Sequence, residues 1–330
     1  MALLSVKNLS VRFPMKRANL LAPRRYLYAV DDVSFEVEKG QALALVGESG
    51  SGKTTTALAV ARLVDAHQGH VTLEGQDLLG LEADALRAAR ARFQFIFQDP
   101  YSSLNPRLRA GDIVAEPLKS LGKMSPEQIP PKVDELFQAV GLRPEQQRLF
   151  PHQFSGGQRQ RIGIARALAP DPDLIICDEP VSALDVAVQA QILNLLRRLQ
   201  AERGLTYLFI SHDLGVVQHM CDRIAVMYMG KIVEHSERLS LFNNPLHPYT
   251  KALLSAVPSV DKERRAKAKR ITIPGDPPDP VNPPPGCRFA SRCPVAGDIC
   301  RTTPPDLRTI GTGQAVACHL VGEDAVSPLA

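Results

Sequence analysis

Residues 47–54 read GESGSGKT, with glycines and hydroxyls leading to one lysine and one threonine. That composition suits phosphate. The glycines let backbone N–H groups turn inward around an anion, and a helix beginning just after them adds its positive end. Lys53 can reach the β- and γ-phosphates, and the Thr54 hydroxyl can ligate Mg²⁺. Gly47, Ser49, Gly50, Ser51, Gly52, Lys53, Thr54 and Thr55 are the candidate phosphate-binding set. Residues 174–179, LIICDE, end an apolar stretch in two acids. Asp178 emerges where it can hold Mg²⁺ through water, and Glu179 is placed to polarise a water for in-line attack on a γ-phosphate. A strand-capping acidic pair is the plain alternative, and the phosphate loop weighs against it.

Three further groups lie at strand or helix ends. FSGGQRQR at 154–161 precedes a helix, 23 residues before Asp178, and its Ser155, Gly156 and Gly157 offer a second anion cradle. One nucleotide needs one such loop, so a second makes sense if it closes on the nucleotide of another subunit. Gln98 in FQDP lies 45 residues after Lys53, and His212 in ISHD lies 33 residues after Glu179. Each follows an apolar strand, at the carboxyl end where ligands bind in open α/β sheets.

These residues need a frame. Residues 5–13 and 31–40 alternate as strands, and 41–46 is an apolar strand running into the glycine loop. A helix starts near Lys53. Strands at 173–180, 205–211 and 223–230 follow later, with a helix over 185–204 whose apolar stripe faces a core. Such alternation predicts a mostly parallel sheet covered on both faces. Between 104 and 165 helical patterns replace strands, which predicts an inserted helical subdomain.

Composition bounds the partners. The chain has 330 residues, 44% apolar and 22% charged, with a net charge of +4. That charge is too small to argue for nucleic acid as the main partner. No apolar run approaches the roughly 18 residues that span a bilayer. The N-terminus lacks a secretory pattern, so a cytosolic location is expected. Membrane association would then come through a partner.

The ordered set GESGSGKT, FQDP, SGGQRQ, LIICDEP, SALD and SHD resembles the nucleotide-binding domain of ABC transporters, over about residues 3–250. The resemblance implies a P-loop cassette with an antiparallel β part, and two such domains paired head to tail around two ATP molecules. It assigns Ser155, Gly157 and Gln158 to the partner's γ-phosphate. It assigns Gln98 to Mg²⁺, to the attacking water and to coupling with membrane subunits. His212 would contact the γ-phosphate, and Asp185 in SALD would act across the dimer. An aromatic residue would stack on adenine: Phe13 matches the usual place, and Tyr26 and Tyr28 are also available. FQDPYSSLNPR, NNPLHPYTKALLSAVP and PPPGCRFASRCP narrow the resemblance to ATP-binding subunits of di- and oligopeptide importers, the nickel/peptide branch. The basic insertion at 14–28 is similar to the F-type subunit of dipeptide permeases. Implied partners are a D-type ATP-binding subunit, two membrane permeases and an extracytoplasmic substrate-binding protein, at the cytoplasmic face of the inner membrane. A non-transport ATPase of DNA repair or translation is the rival. It usually carries long coiled coils or tandem cassettes, and neither pattern occurs here.

The boundaries implied are a cassette at 1–257, a basic and Pro-rich linker at 258–286, and a terminal module at 287–330. The linker holds seven prolines within 274–286 and reads as stiff and extended. The module places Cys287, Cys293, Cys300 and Cys318 close together, four of the six cysteines of the chain. In a cytosolic setting that argues for a metal over disulfides. Four thiolates suit zinc or an iron–sulfur cluster, and four free thiols are the third possibility. The importer resemblance implies a [4Fe–4S] cluster. Cys177 and Cys221 read as small buried hydrophobes. His152 reads as a cap or packing residue and His247 as part of a Pro-bounded turn.

Overall fold

The computed structural model describes residues 2–16, 24–122, 124–257, 271–311 and 313–322. The basic run at 262–270 and residues 17–23 of the insertion lie outside the described residues. The chain opens with strands β1 (Ala2–Pro14), β2 (Tyr26–Glu38) and β3 (Ala42–Val46), then helix α1 (Lys53–Val60). Strands β4 (Gln68–Leu73) and β5 (Gln76–Asp77), helix α2 (Ala83–Ala89) and strand β6 (Phe93–Ile96) follow. Three helices come next: α3 (Ala110–Leu121), α4 (Ile129–Ala139) and α5 (Gly156–Leu168). Then come β7 (Leu174–Asp178), α6 (Val186–Arg203), β8 (Thr206–Ser211), α7 (Leu214–Met220), β9 (Arg223–Tyr228) and β10 (Lys231–Glu237). The chain closes with α8 (Arg238–Asn243), α9 (Pro248–Ser255), α10 (Asp298–Thr302), β11 (Arg308–Ile310) and β12 (Gln314–Val316).

The chain divides into two compact units. The first comprises Met1–Leu4, Val37–Ala42 and Thr72–Ile210. Its β6, β7 and β8 are parallel, with Phe93 opposite Leu174 and Leu174 opposite Thr206. β7 and β8 are buried along their whole length, which is why they read as continuous apolar runs without alternation. The expected helical block is α3, α4 and α5, with α3 packed on both of the others. The helix expected at 185–204 is α6, which buries Ile192, Leu193, Leu195, Leu196 and Leu199. Each such side chain contributes about 1.5–3 kcal/mol of burial.

The second unit comprises Ser5–Glu36, Leu43–Val71 and Ser211–Ala330. Here β3 runs parallel to β9, with Leu43 opposite Arg223 and Val46 opposite Val226. β10 is antiparallel to β9, β12 to β10, and β11 to β12. The terminal residues therefore add strands to a sheet rather than folding away from it. A three-residue strand is not stable by itself, and pairing Val316 with Glu234 gives it a ladder to join. Leu246, Ile310, Val316, Cys318 and Val321 form a small apolar cluster. The Glu234 carboxylate organises this corner. It is fully buried and accepts from Leu246 N at 2.8 Å, His247 N at 2.9 Å and Gln314 Nε2 at 3.0 Å. The Pro-rich stretch is also tied back, since Tyr28 N donates to Pro280 O at 3.4 Å.

Candidate functional site

The phosphate loop lies where expected, between β3 and α1. Gly47 has φ 154° and Gly52 φ 102°. A Cβ on Gly47 would meet Met227 O at 2.2 Å, and one on Gly52 would meet Ala29 O at 2.4 Å. Only glycine fits this path, because other residues avoid such backbone angles and a methyl group would strike backbone atoms. Gly52 is the N-cap of α1, so no side chain caps that helix start. Lys53 is buried, and its Nζ donates to Gly47 O at 2.8 Å and Glu48 O at 2.9 Å. The loop folds around its own lysine, with Ser51 buried beside it and Ser49, Gly50 and Thr54 exposed. Thr55 follows in the first turn of α1. Glycines that would clash if larger, at a helix start with no side-chain cap, make a cradle that fits phosphate oxygens.

In the first unit, Asp178 is the last residue of β7 and is buried. Glu179 follows with φ 45°, a left-handed angle that non-glycine residues rarely adopt. Two bonds hold it there: Glu179 N donates to Ile210 O at 3.0 Å, and Glu179 O accepts from Ser182 N at 3.2 Å. Backbone strain held by its surroundings clusters at functional sites. Gln98 is exposed two residues past β6, and its Nε2 donates to Glu179 Oε2 at 2.8 Å. The structure therefore joins two residues 81 positions apart that the sequence could only nominate separately. Asp99 beside Gln98 shapes the turn, since its carboxylate accepts from Tyr101 N and Ser102 N. Those bonds hold its pKa below the usual value.

The second loop is built differently from the first. Ser155 is the N-cap of α5; its hydroxyl accepts from Gln158 N at 3.3 Å, while Gln158 Oε1 accepts from Ser155 N at 3.0 Å. This reciprocal capping box corresponds to S-x-x-Q at 155–158, where the sequence marks Ser155 and the two glycines as an anion cradle and leaves the cap itself unmarked. Gly157 is buried, and a Cβ there would meet Val188 Cγ1 at 2.4 Å. Gly156 is half-buried. Asp185 is exposed and caps α6, accepting from Val188 N at 2.9 Å.

In the second unit, His212 is exposed immediately after β8. Phe13 and Tyr28 are exposed aromatics, and the Arg12 guanidinium lies 4.3 Å from the centre of the Tyr26 ring. Tyr26 is therefore engaged by a cation. His152 is exposed and stacks on Phe150 at 5.9 Å. His247 is buried and caps α9 through Nδ1, which accepts from Tyr249 N at 3.0 Å. Burial pushes its pKa down to about 3. Cys177 and Cys221 are buried in the apolar interior, and burial raises the Cys221 thiol.

All four terminal cysteines are unpaired thiols. Cys287 N donates to Cys300 O at 2.8 Å. Burial raises the Cys287 thiol, and the nearby Cys300, Cys318 and Cys293 raise it further. The thiols therefore gather, but the expected metal-ligand set is not formed. Among the described residues no group of three or more His, Cys, Asp or Glu side chains is arranged to hold an ion. Cys300 and Cys318 are buried, Cys318 within the apolar cluster, while Cys287 and Cys293 are half-exposed.

A glycine-lined phosphate loop, an acid pair ending a buried strand and a serine-glycine loop at a helix start define an ABC-type ATPase cassette of mixed α/β architecture. Comparison with known proteins agrees. Residues 30–182 match the ABC transporter family and residues 233–300 match the oligopeptide/dipeptide transporter C-terminal region. The solved dimeric structure of MJ0796, a bacterial ABC transporter cassette, superposes with a TM-score of 0.63 at 30% identity, covering 71% of this chain and 98% of that one. The chain belongs to the ATP-binding subunits of peptide ABC transporters and is an ABC ATPase. It is 51% identical to a probable peptide ABC transporter ATP-binding protein of Sinorhizobium fredii, over 97% of this chain and 90% of that protein. It is 47% identical to the oligopeptide transport ATP-binding protein AppF of Bacillus subtilis, over 96% and 97%. It is 49% identical to OppF of Escherichia coli, over 92% of each. The matches to AppF and OppF place the chain with the F-type subunits of peptide importers, as the resemblance of the basic insertion implied.

Proposed function

We propose that this chain hydrolyses ATP to power import of di- or oligopeptides through an inner-membrane transporter. The observation that carries the hydrolytic reading is Glu179, held at a strained angle beside Asp178 and 2.8 Å from Gln98. The transport reading is supported by the relatives' printed roles and by the C-terminal match. None of these favours a DNA-repair or translation role.

In this proposal Gly47–Thr55 bind the phosphates of ATP, and Lys53 neutralises the β- and γ-oxygens. Thr54, Gln98 and Asp178 are the proposed Mg²⁺ ligands; the ion, when bound, neutralises charge on the transferring phosphoryl group. Glu179 takes the proton of the attacking water, Gln98 orients that water, and His212 contacts the γ-phosphate. Ser155, Gly156, Gly157 and Gln158 serve the ATP of a partner subunit, and Asp185 acts across that pairing. Phe13 or Tyr28 stacks on adenine. The partner is a second, D-type ATP-binding subunit, joined to two permeases and served by an extracytoplasmic binding protein. An apolar groove lined by Ala115, Ile129, Pro130 and Val133 in the helical block suits the coupling to a permease. No helix among the described residues is long and apolar enough to cross a membrane. That suits a peripheral subunit on the cytoplasmic face.

The test is Glu179→Gln. ATP turnover should fall at least a hundredfold while ATP-driven pairing persists, within the range for loss of a general base. Wild-type turnover in that variant would overturn the assignment.

A further inference from the structure

The sequence CRFASRC places two arginines four residues apart inside the cysteine module. Both reach out of it. Arg288 bonds the Asp31 carboxylate and the carbonyl of Met229. Met229 has a left-handed φ of 46°, and its neighbour Gly230 donates N–H to Ser51 O in the phosphate loop at 2.8 Å. Arg292 goes further. It is buried, and its Nη1 donates to Glu48 Oε2 at 2.9 Å and to the Tyr228 hydroxyl at 3.3 Å. Glu48 is the second residue of GESGSGKT.

Every polar group of Glu48 named above is engaged. Its carbonyl accepts from Lys53, its carboxylate accepts from Arg292, and its N–H donates to the Tyr249 hydroxyl at 2.8 Å. Tyr249 and Tyr228 are both buried, and Phe289 packs edge-on or tilted against them at 5.4 Å and 5.2 Å. Phe289 and Arg292 come from the module, between Cys287 and Cys293. The outer wall of the phosphate loop therefore rests on the cysteine module through one charged bond and one aromatic cluster. Arg292 is adjacent to Cys293, and Arg292 N donates to Phe289 O at 3.0 Å, so movement of the cysteine loop is movement of the brace.

We propose that Arg292 is a positioning residue for the phosphate loop, and that through it the cysteine module sets the affinity of the loop for ATP. A charge-assisted bond held in a buried site fixes geometry as well as energy. The proposal rests on reading residues 47–54 as the ATP loop.

The experiment uses the full-length chain, with a fluorescent trinitrophenyl-ATP for binding by the chain itself and steady-state ATPase of its assembled pair for KM and kcat. Arg292→Ala should weaken analogue binding and raise KM about three- to tenfold, with kcat within about twofold, the scale of one charge-assisted bond acting at one remove. Arg292→Lys should recover most of that loss. The exchange of Glu48→Arg with Arg292→Glu should bind more tightly than either single variant. Cys293→Ala should raise KM in the wild type and much less in the Arg292→Ala background. Equal binding by wild type and Arg292→Ala overturns the inference while leaving the ATP reading intact. So does a loss confined to kcat, or a Cys293→Ala effect undiminished by Arg292→Ala. A wild-type chain that does not bind the analogue overturns both.

Discussion

Two helix starts in this chain are proposed to meet phosphate, and they are prepared in opposite ways. Helix α1 begins at Gly52, which has no side chain to cap it, and the preceding loop is shaped by glycines that tolerate no Cβ. Helix α5 begins at Ser155, whose hydroxyl and the Gln158 amide satisfy each other's backbone N–H groups. The first loop has no side-chain cap. The second caps itself and can hold its shape until a ligand arrives. That contrast fits one loop that binds ATP within its own subunit and another that meets nucleotide only when a partner closes on it.

The contrast can be broken at several levels. The largest effect is expected from Glu179→Gln, which removes turnover whichever loop binds first. Next comes Gly52→Ala, whose Cβ would lie 2.4 Å from Ala29 O at a φ of 102°. ATP affinity should fall at least tenfold, because the clash is with backbone and the angle is strained, at a cost of about 1–3 kcal/mol. Isothermal titration with ATP measures it, and unchanged affinity would show that the first loop is not shaped by its glycines.

A third prediction uses pH. His247 caps α9 in its neutral form, and Tyr249 in the same helix holds Glu48. Its folded pKa of about 3 lies below the ordinary imidazole value, so the unfolded chain binds the extra proton first. Stability from this group is full above pH ~6.5 and declines as pH falls toward its folded value, by roughly 1.4 kcal/mol per unit. His235, half-buried and beside Arg223, is pushed down to about 4, first by desolvation and then by that arginine, and acts in the same direction. The box of Ser155 and Gln158 contains no titrating group. Acid should therefore loosen the phosphate-loop unit before the α5 start. Hydrogen exchange at pH 7 and pH 5 checks this, and equal protection losses at both places would contradict it.

The smallest effect is expected from Ser155→Ala. Loss of a serine cap costs about 1 kcal/mol of stability. ATP affinity of the single chain should be unchanged while turnover of the assembled pair falls. If Ser155→Ala weakened ATP binding by the isolated chain, the two loops would not be separable as described.

Much of this was legible before any fold was seen. The phosphate loop, the acid pair, the strands at 174–178 and 206–211 and the helical block follow from local patterns, because glycine geometry, strand burial and helical periodicity are read over a few residues. The capping box was equally local and was passed over. The C-terminal strands were not legible: three residues such as Gln314–Val316 carry no period, and only pairing with β10 and β11 makes them a strand. The cysteines were legible as a group, but their spacing says nothing of how the folded chain arranges the thiols, and among the described residues they form no metal-holding set.

Residue types and spacing alone carry the family and nominate the groups proposed to bind phosphate and to meet water. Each depends on residue types within one short segment. Tertiary structure decided the couplings. Gln98 meets Glu179 across 81 positions, and Arg292 meets Glu48 across 244. No local propensity encodes such pairs, because they exist only once separate strands and turns have been packed to bring their ends together.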